Sequence, residues 1–385
     1  MKDKLYCGRG ENIAFCDLMD MLNLTYGHTP PEQDFRTLLP KLYREELRPQ
    51  NDNYVVIENG ALVAAVGAYD HELKVCGRTL HCRGIGNVAV HPDHRSKGYM
   101  NLAMDATMRD MAKDGVALST LGGKRQRYQY FGYDKTGTVY YYSISNDNMR
   151  HVFGGVSSPF TIREITAPAD PVIDKIIALN ESSPFIPVRP RSLYLYVANT
   201  WKARLLAIED GERFVGYAVL NRKTVSEIDV VDTDDFIPSI RSLFAFIGES
   251  YTIKLPPHQF EFRKALTPFA ENVSSDSAMQ FNVFDYRKVI EAFLALKLTY
   301  TDLPDGQVTM LIHGFAGDER ICIAVENGKP VVTAIDPDTP VDCELSHEEA
   351  LSFLFSHFST IRENATDTAR LFFPLPIYMY HSDEV

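Results

Sequence analysis

Apolar residues along this chain recur with a helical period in some stretches and run together or alternate in others, and the switches predict its elements. Over residues 11–24, Ile13, Phe15, Leu18, Met19, Met21 and Leu22 fall at helical spacing. A second helix is expected from Pro31 or Glu32, with Phe35, Leu38 and Leu39 on its buried side and Pro40 ending or kinking it. The pattern then changes. Residues 54–57 read as a strand, Asn59-Gly60 as a hairpin turn, and residues 61–69 as the returning strand. Residues 85–90 form an apolar, β-branched run bounded by Pro92, the mark of a buried central strand. Beyond it, Met100, Ala103, Met104, Thr107, Met108 and Met111 paint one face of a helix that Gly115 stops, and residues 116–121 give another buried strand. This order is that of an α/β unit.

Between the central strand and that helix lies Arg95-Ser96-Lys97-Gly98-Tyr99-Met100. The first turn of a helix has N–H groups without intrahelical partners and a partial positive charge. Gly98 allows close approach of a ligand to the backbone, and Arg95 and Lys97 add full charges, so the turn suits a phosphate-type anion. A solvated basic turn with an ordinary glycine is the plain alternative.

Around residues 153–159 the composition becomes small and flexible, which suggests a boundary. A second α/β unit follows, with strands at 214–220 and 226–231 and a helix over 236–246, repeating the order of the first. Where the first has its basic turn, the repeat has Asp232-Thr233-Asp234-Asp235, whose carboxylates repel a diphosphate. The last hundred or so residues differ again: a helix over 285–294, strands at 307–312, 321–326 and 331–335, and the capping box Ser346-His347-Glu348-Glu349. The expected division is 1–155, 156–284 and 285–385.

Composition narrows the class. At 385 residues with 45% hydrophobic and 23% charged residues, the chain fits two or three globular domains. A formal net charge of -12 opposes a general nucleic-acid surface and suits a cationic substrate. No apolar run approaches the length of a membrane span, and the first residues lead into no signal-peptide core, so no membrane association and a cytoplasmic location are expected. The six cysteines show no metal-type spacing, and His91 and His94 flank a Pro-Asp turn as loop histidines; no metal is expected.

Val88-x-Val90-x-Pro92-x-x-Arg95-x-Lys97-Gly98-Tyr99-Met100 resembles the coenzyme A pyrophosphate loop of GNAT-type N-acetyltransferases, with Met100 where the family has a second glycine. Taken with Gly122-Gly123 and Tyr128-x-x-Phe131-Gly132-Tyr133, the chain is similar to the enhanced intracellular survival (Eis) family. The resemblance implies tandem GNAT-like folds, the second degenerate, closed by a domain like sterol carrier protein type 2. It implies acetyl-CoA as cosubstrate, with Val88, Ala89 and Val90 along the pantetheine arm and Arg95, Ser96, Lys97, Gly98, Tyr99 and Met100 at the pyrophosphate. It makes Tyr128 the general acid, although packing among Tyr130, Phe131 and Tyr133 is the bland reading of that side chain. It also brings the carboxylate of Val385 to the active site as base or relay. The implied reaction acetylates a primary amine of a cationic, aminoglycoside-like small molecule within a homo-oligomer, a hexamer in the family. Protein lysines, polyamines, or a vestigial enzyme that binds an apolar ligand are the alternatives.

Overall fold

The computed structural model describes residues 5–26, 34–155 and 158–385. Pro31 and Glu32, where the second helix was expected to begin, lie outside these residues, as do residues 156 and 157, where the expected second unit begins.

The first segment supplies β1 (Leu5–Arg9), α1 (Phe15–Tyr26), α2 (Phe35–Leu38), β2 (Asn53–Glu58), β3 (Ala61–Val75), β4 (Arg78–Val90), α3 (Tyr99–Lys113), β5 (Leu118–Leu121), α4 (Arg125–Tyr128), β6 (Asp134–Thr136) and β7 (Val139–Ile144). The hairpin turn forms at Asn59-Gly60, where both residues have left-handed φ. Strands β3 and β4 outrun their predicted lengths because Leu73, Val75, Leu80 and Cys82 at their far ends find a second core to enter. Helix α3 buries the expected face, Ala103, Met104, Thr107, Met108 and Met111, against the sheet.

The middle segment supplies α5 (Asn146–His151), β8 (Thr161–Glu164), α6 (Val172–Glu181), β9 (Phe185–Pro187), α7 (Tyr194–Ala198), β10 (Arg204–Asp210), β11 (Arg213–Asn221), β12 (Thr224–Val230), α8 (Phe236–Ile247), β13 (Tyr251–Leu255), α9 (Phe260–Leu266), β14 (Asn272–Asp276) and β15 (Met279–Val283). Strands β11 and β12, helix α8 and strand β13 repeat the β3–β4–α3–β5 order of the first unit. At the acidic turn between β12 and α8, Asp232 accepts the N–H of Asp234 at 3.0 Å, so the turn caps itself.

The two sheets cross the divisions of the chain. Strand β15 pairs with β5 and β6 in the eight-stranded first sheet, while β7 sits between β14 and β13 in the seven-stranded second one. Each unit thus donates a strand to the other, which ties them by main-chain hydrogen bonds. The third segment, α10 (Tyr286–Leu298), β16 (Gly306–Gly314), β17 (Gly317–Glu326), β18 (Lys329–Ala334), β19 (Cys343–Ser346), α11 (His347–Phe355) and α12 (Asp367–Phe372), builds a four-stranded sheet ordered β18-β17-β16-β19. Its core continues into the ends of β3 and β4 and takes in Phe372, Phe373, Leu375, Ile377 and Tyr378, so the final run of chain is docked.

Candidate active site

Strands β4 and β5 pair in parallel only from Cys82/Leu118 to Ile85/Leu121. Beyond Ile85, β4 leaves its neighbour, and the gap is held open by a bulge. The β3–β4 register slips between Ala65 and Gly67, opposite Asn87, which has a left-handed φ of 39°. Asn87 is fixed there by a buried network: Oδ1 accepts from the phenols of Tyr43 (2.6 Å) and Tyr69 (3.0 Å), and Nδ2 donates to Asn53 Oδ1 (2.7 Å). Gly67 must be glycine, since a Cβ would stand 2.1 Å from Asn87 Oδ1. Just past the bulge, the Val88 carbonyl accepts from Tyr26 Oη at 2.8 Å; burial pushes that phenol up to about 12.

A cleft of about 1000 Å³ opens at this gap. Val88, Val90, Arg95, Ser96, Gly98, Tyr99 and Met100 line it, joined by His94, Lys124 and Arg127. Ser96 and Gly98 have φ of 65° and 80°, and no side chain caps α3, so its first N–H groups meet the cleft without an internal acceptor. These features fit a coenzyme A diphosphate. Two residues of the predicted set do not line the cleft. Ala89 alternates with its neighbours, faces away and packs beneath α1. The Lys97 ammonium turns to Glu58 Oε2, 3.1 Å away.

Tyr128 ends the short α4 and is 6% exposed, with its ring against Gly123. A Cβ on Gly123, whose φ is 117°, would lie 3.1 Å from Tyr128 Cε2, so both the backbone shape and the close approach require glycine. Arg125 holds α4 through Asp134, and His347 of α11 reaches the Gly132 carbonyl at 2.9 Å, so the third unit braces this segment. Burial raises the Tyr128 phenol above its ordinary value, partly opposed by the Arg127 guanidinium, and keeps it protonated at neutral pH. Cys82 is fully buried with its thiol pushed well up, which leaves no thiolate for an acyl-enzyme route.

Val385 enters the same cleft from the far side. A Cβ on Gly84 would stand 2.7 Å from Val385 Cγ2, and one on Gly86 3.1 Å from its main-chain carbon. The approach is held by charge. Buried Lys41 donates to the carbonyls of Ser382 (2.7 Å) and Glu384 (2.6 Å), and its desolvation lowers it to about 8. Arg189 from the middle unit forks onto Asp383 (2.9 and 2.7 Å) and Glu227 (both 2.8 Å). His381 Nδ1 lies 3.0 Å from Glu384 Oε2, and Glu384 lines the cleft beside Val385 and Trp201. None of Tyr26, Lys41, Asn87, Arg189, Trp201 or Glu384 was singled out from sequence. They sit far apart in the chain, and only Lys41 and Arg189 carried a faint signal, as basic residues between apolar neighbours.

Residues 13–136 match the family model described as the acetyltransferase (GNAT) domain. The first unit is therefore a GNAT domain, and the protein is an N-acetyltransferase with acetyl-CoA as its acyl donor. The whole chain shares its fold with a GCN5-related N-acetyltransferase from Kribbella flavida (16% identity, 100% of this chain and 99% of that one, TM-score 0.68) and with one from Anabaena variabilis (15%, 98% and 98%, 0.67). It is also similar to Eis1 from Mycobacterium abscessus (14%, 99% and 98%, 0.58). These likenesses define a tandem GNAT-like architecture in an α/β chain. No curated protein sequence matches this one. Among the described residues no helix is long and apolar enough to cross a membrane.

Proposed function

We infer that the protein moves the acetyl group of acetyl-CoA to a primary amine of a small molecule by direct attack, with Tyr128 as general acid and Val385 as base or relay. The observation that carries this reading is the convergence of the Arg95–Met100 turn, Tyr128 and Val385 on one cleft at the opening between β4 and β5. The amine nitrogen attacks the thioester carbonyl, the C–S bond breaks, and the departing thiolate takes the phenolic proton of Tyr128. The proton the ammonium loses before attack passes, directly or through water, to the Val385 carboxylate, and the second, shed by the nitrogen as the amide forms, restores the Tyr128 phenol. That carboxylate and Glu384 also draw the ammonium into the cleft, which is why a cationic acceptor suits it. The expectation of an aminoglycoside-like acceptor rests on the Eis resemblance.

In the same reading Val88 and Val90 flank the pantetheine arm, Ala89 supports them from behind, and Arg95, Ser96, Gly98, Tyr99 and Met100 hold the diphosphate while Lys97 braces the turn through Glu58. The third unit, sterol-carrier-like by resemblance, serves to dock the final run of chain and deliver Val385. Hexameric assembly, to be read by light scattering, and a cytoplasmic location complete the proposal. Tyr128→Phe tests the chemistry: turnover should fall by a factor on the order of 10² to 10³, with acetyl-CoA affinity by calorimetry nearly intact. Unchanged turnover would remove the phenol from the mechanism.

A further inference from the structure

A second cavity, about 710 Å³, adjoins the transfer cleft on the middle unit. Trp201 lines both, and so forms the wall between them. Around the second cavity stand Lys202, Arg222, Lys223, Lys254 and His381, and among the described residues no carboxylate lines it. In a chain with 51 acidic and 39 basic residues, such a one-signed cluster runs against the overall balance. Lys223 is paired with Glu249 at the rim, but Lys202, Arg222 and Lys254 make no ion pair with a carboxylate of the described residues. The indole Nε1 of Trp201 is buried and has no hydrogen-bond acceptor among the described residues. Lys202, Arg222 and Lys223 are exposed and the Lys254 ammonium lies over the Tyr141 ring; cations gathered around one concavity in this way repel one another unless an anion joins them.

The two cavities also have opposite character at their junction. His381 lines the basic one and Glu384 the transfer cleft, and their side chains touch at 3.0 Å. An ammonium beside Glu384 and Val385 thus has a basic pocket one side chain away. We propose that the acceptor is a primary amine that also carries an anionic group, a carboxylate or a phosphate, and that this group docks among Lys202, Arg222 and Lys254 while the amine meets the thioester. This rests on the acetyltransfer reading above and narrows its substrate class, because a polycation would place like charge in the basic pocket.

The test is a panel of primary amines of matched length, offered to the full chain with acetyl-CoA, whose far end is a carboxylate, a phosphate, a neutral amide or a second ammonium. The anionic members should exceed the neutral one in kcat/KM by about ten-fold or more, the size expected of one charge-assisted contact, and the carboxylate and phosphate arms tell which anion fits. In Arg222→Gln/Lys254→Gln that ratio should fall toward one. Equal rates for anionic, neutral and dicationic amines overturn the anion site and leave the acetyltransferase intact. Retention of the anionic preference in the double variant also overturns it. Acetylation of no member overturns both readings. Should the double variant fail to fold, the panel on the natural protein still decides.

Discussion

Arg189→Met tests how the chain end is held. The guanidinium is 3% exposed and sits between Glu227, 2% exposed, and Asp383, 10% exposed, with hydrogen bonds of 2.7 to 2.9 Å to both. Methionine keeps most of the apolar stem but removes the main counter-charge of two interior carboxylates, leaving Asp383 with Lys41 and Glu227 without its arginine. Breaking a buried pair in this way costs about 3–5 kcal/mol. A cavity alone would give a loss independent of pH, whereas a stranded carboxylate would not. In the natural protein burial pushes the Asp383 carboxyl up, but the charge and hydrogen bonds of Arg189, helped by Lys41 and His71, together hold it below its ordinary value. Without the arginine, burial, the largest influence, is opposed only by Lys41 and His71, and the carboxyl rises. Protonation then relieves the variant as pH falls, so the stability difference should be larger at pH 7.5 than at pH 5. Urea unfolding of both proteins at the two pH values measures it, and because only the difference is read, the titration of other groups cancels. Hydrogen exchange of the amides of residues 379–384 should accelerate before global unfolding, and turnover should drop with it. A pH-independent loss below about 1 kcal/mol, the scale of a surface pair, would refute the argument.

Gly84→Ala places a methyl 2.7 Å from Val385 Cγ2; it should cost about 1 kcal/mol, the low end of overpacking because a terminal side chain yields, while turnover falls and acetyl-CoA affinity holds. Gly98→Ala meets no atom within 4 Å but must adopt a φ of 80°, so it should lose about 1–2 kcal/mol and raise KM for acetyl-CoA more than KM for the amine. Partly buried His71, whose Nε2 is shut off from solvent, has its pKa lowered to about 4 by desolvation. The unfolded chain binds that proton near ~6.5 and the folded one only near ~4. Stability therefore declines as pH falls through this window, by up to about 3 kcal/mol, and His71→Gln should flatten that part of the urea-midpoint profile; an unaltered profile would assign acid sensitivity elsewhere.

The fold was legible where local physics dominates. The Met100-to-Met111 stripe, the Asn59-Gly60 turn and the Ser346/Glu349 capping box each depend on residues a few positions apart, and each forms as read. The basic turn was legible for the same reason, being one glycine and its neighbours at the start of one helix. Two details of it were not. Ala89 and Lys97 are excluded from the cleft by strand alternation past the bulge and by Glu58 on β2, neither of which a local pattern reports.

The sequence by itself determined the elements, the repeated α/β order and the place of the basic turn, because period, capping and backbone propensity act over single turns of chain. The tertiary structure decided what those parts do together. Exchange of β7 and β15 between sheets is settled by pairing across well over a hundred residues, and no local preference encodes a partner. Likewise the network of Tyr43, Tyr69 and Asn87, the clamp of Lys41 and Arg189, and the cavity behind Trp201 each exist only once distant charges and hydroxyls leave water together. Burial makes those groups depend on one another, and burial belongs to the folded chain as a whole.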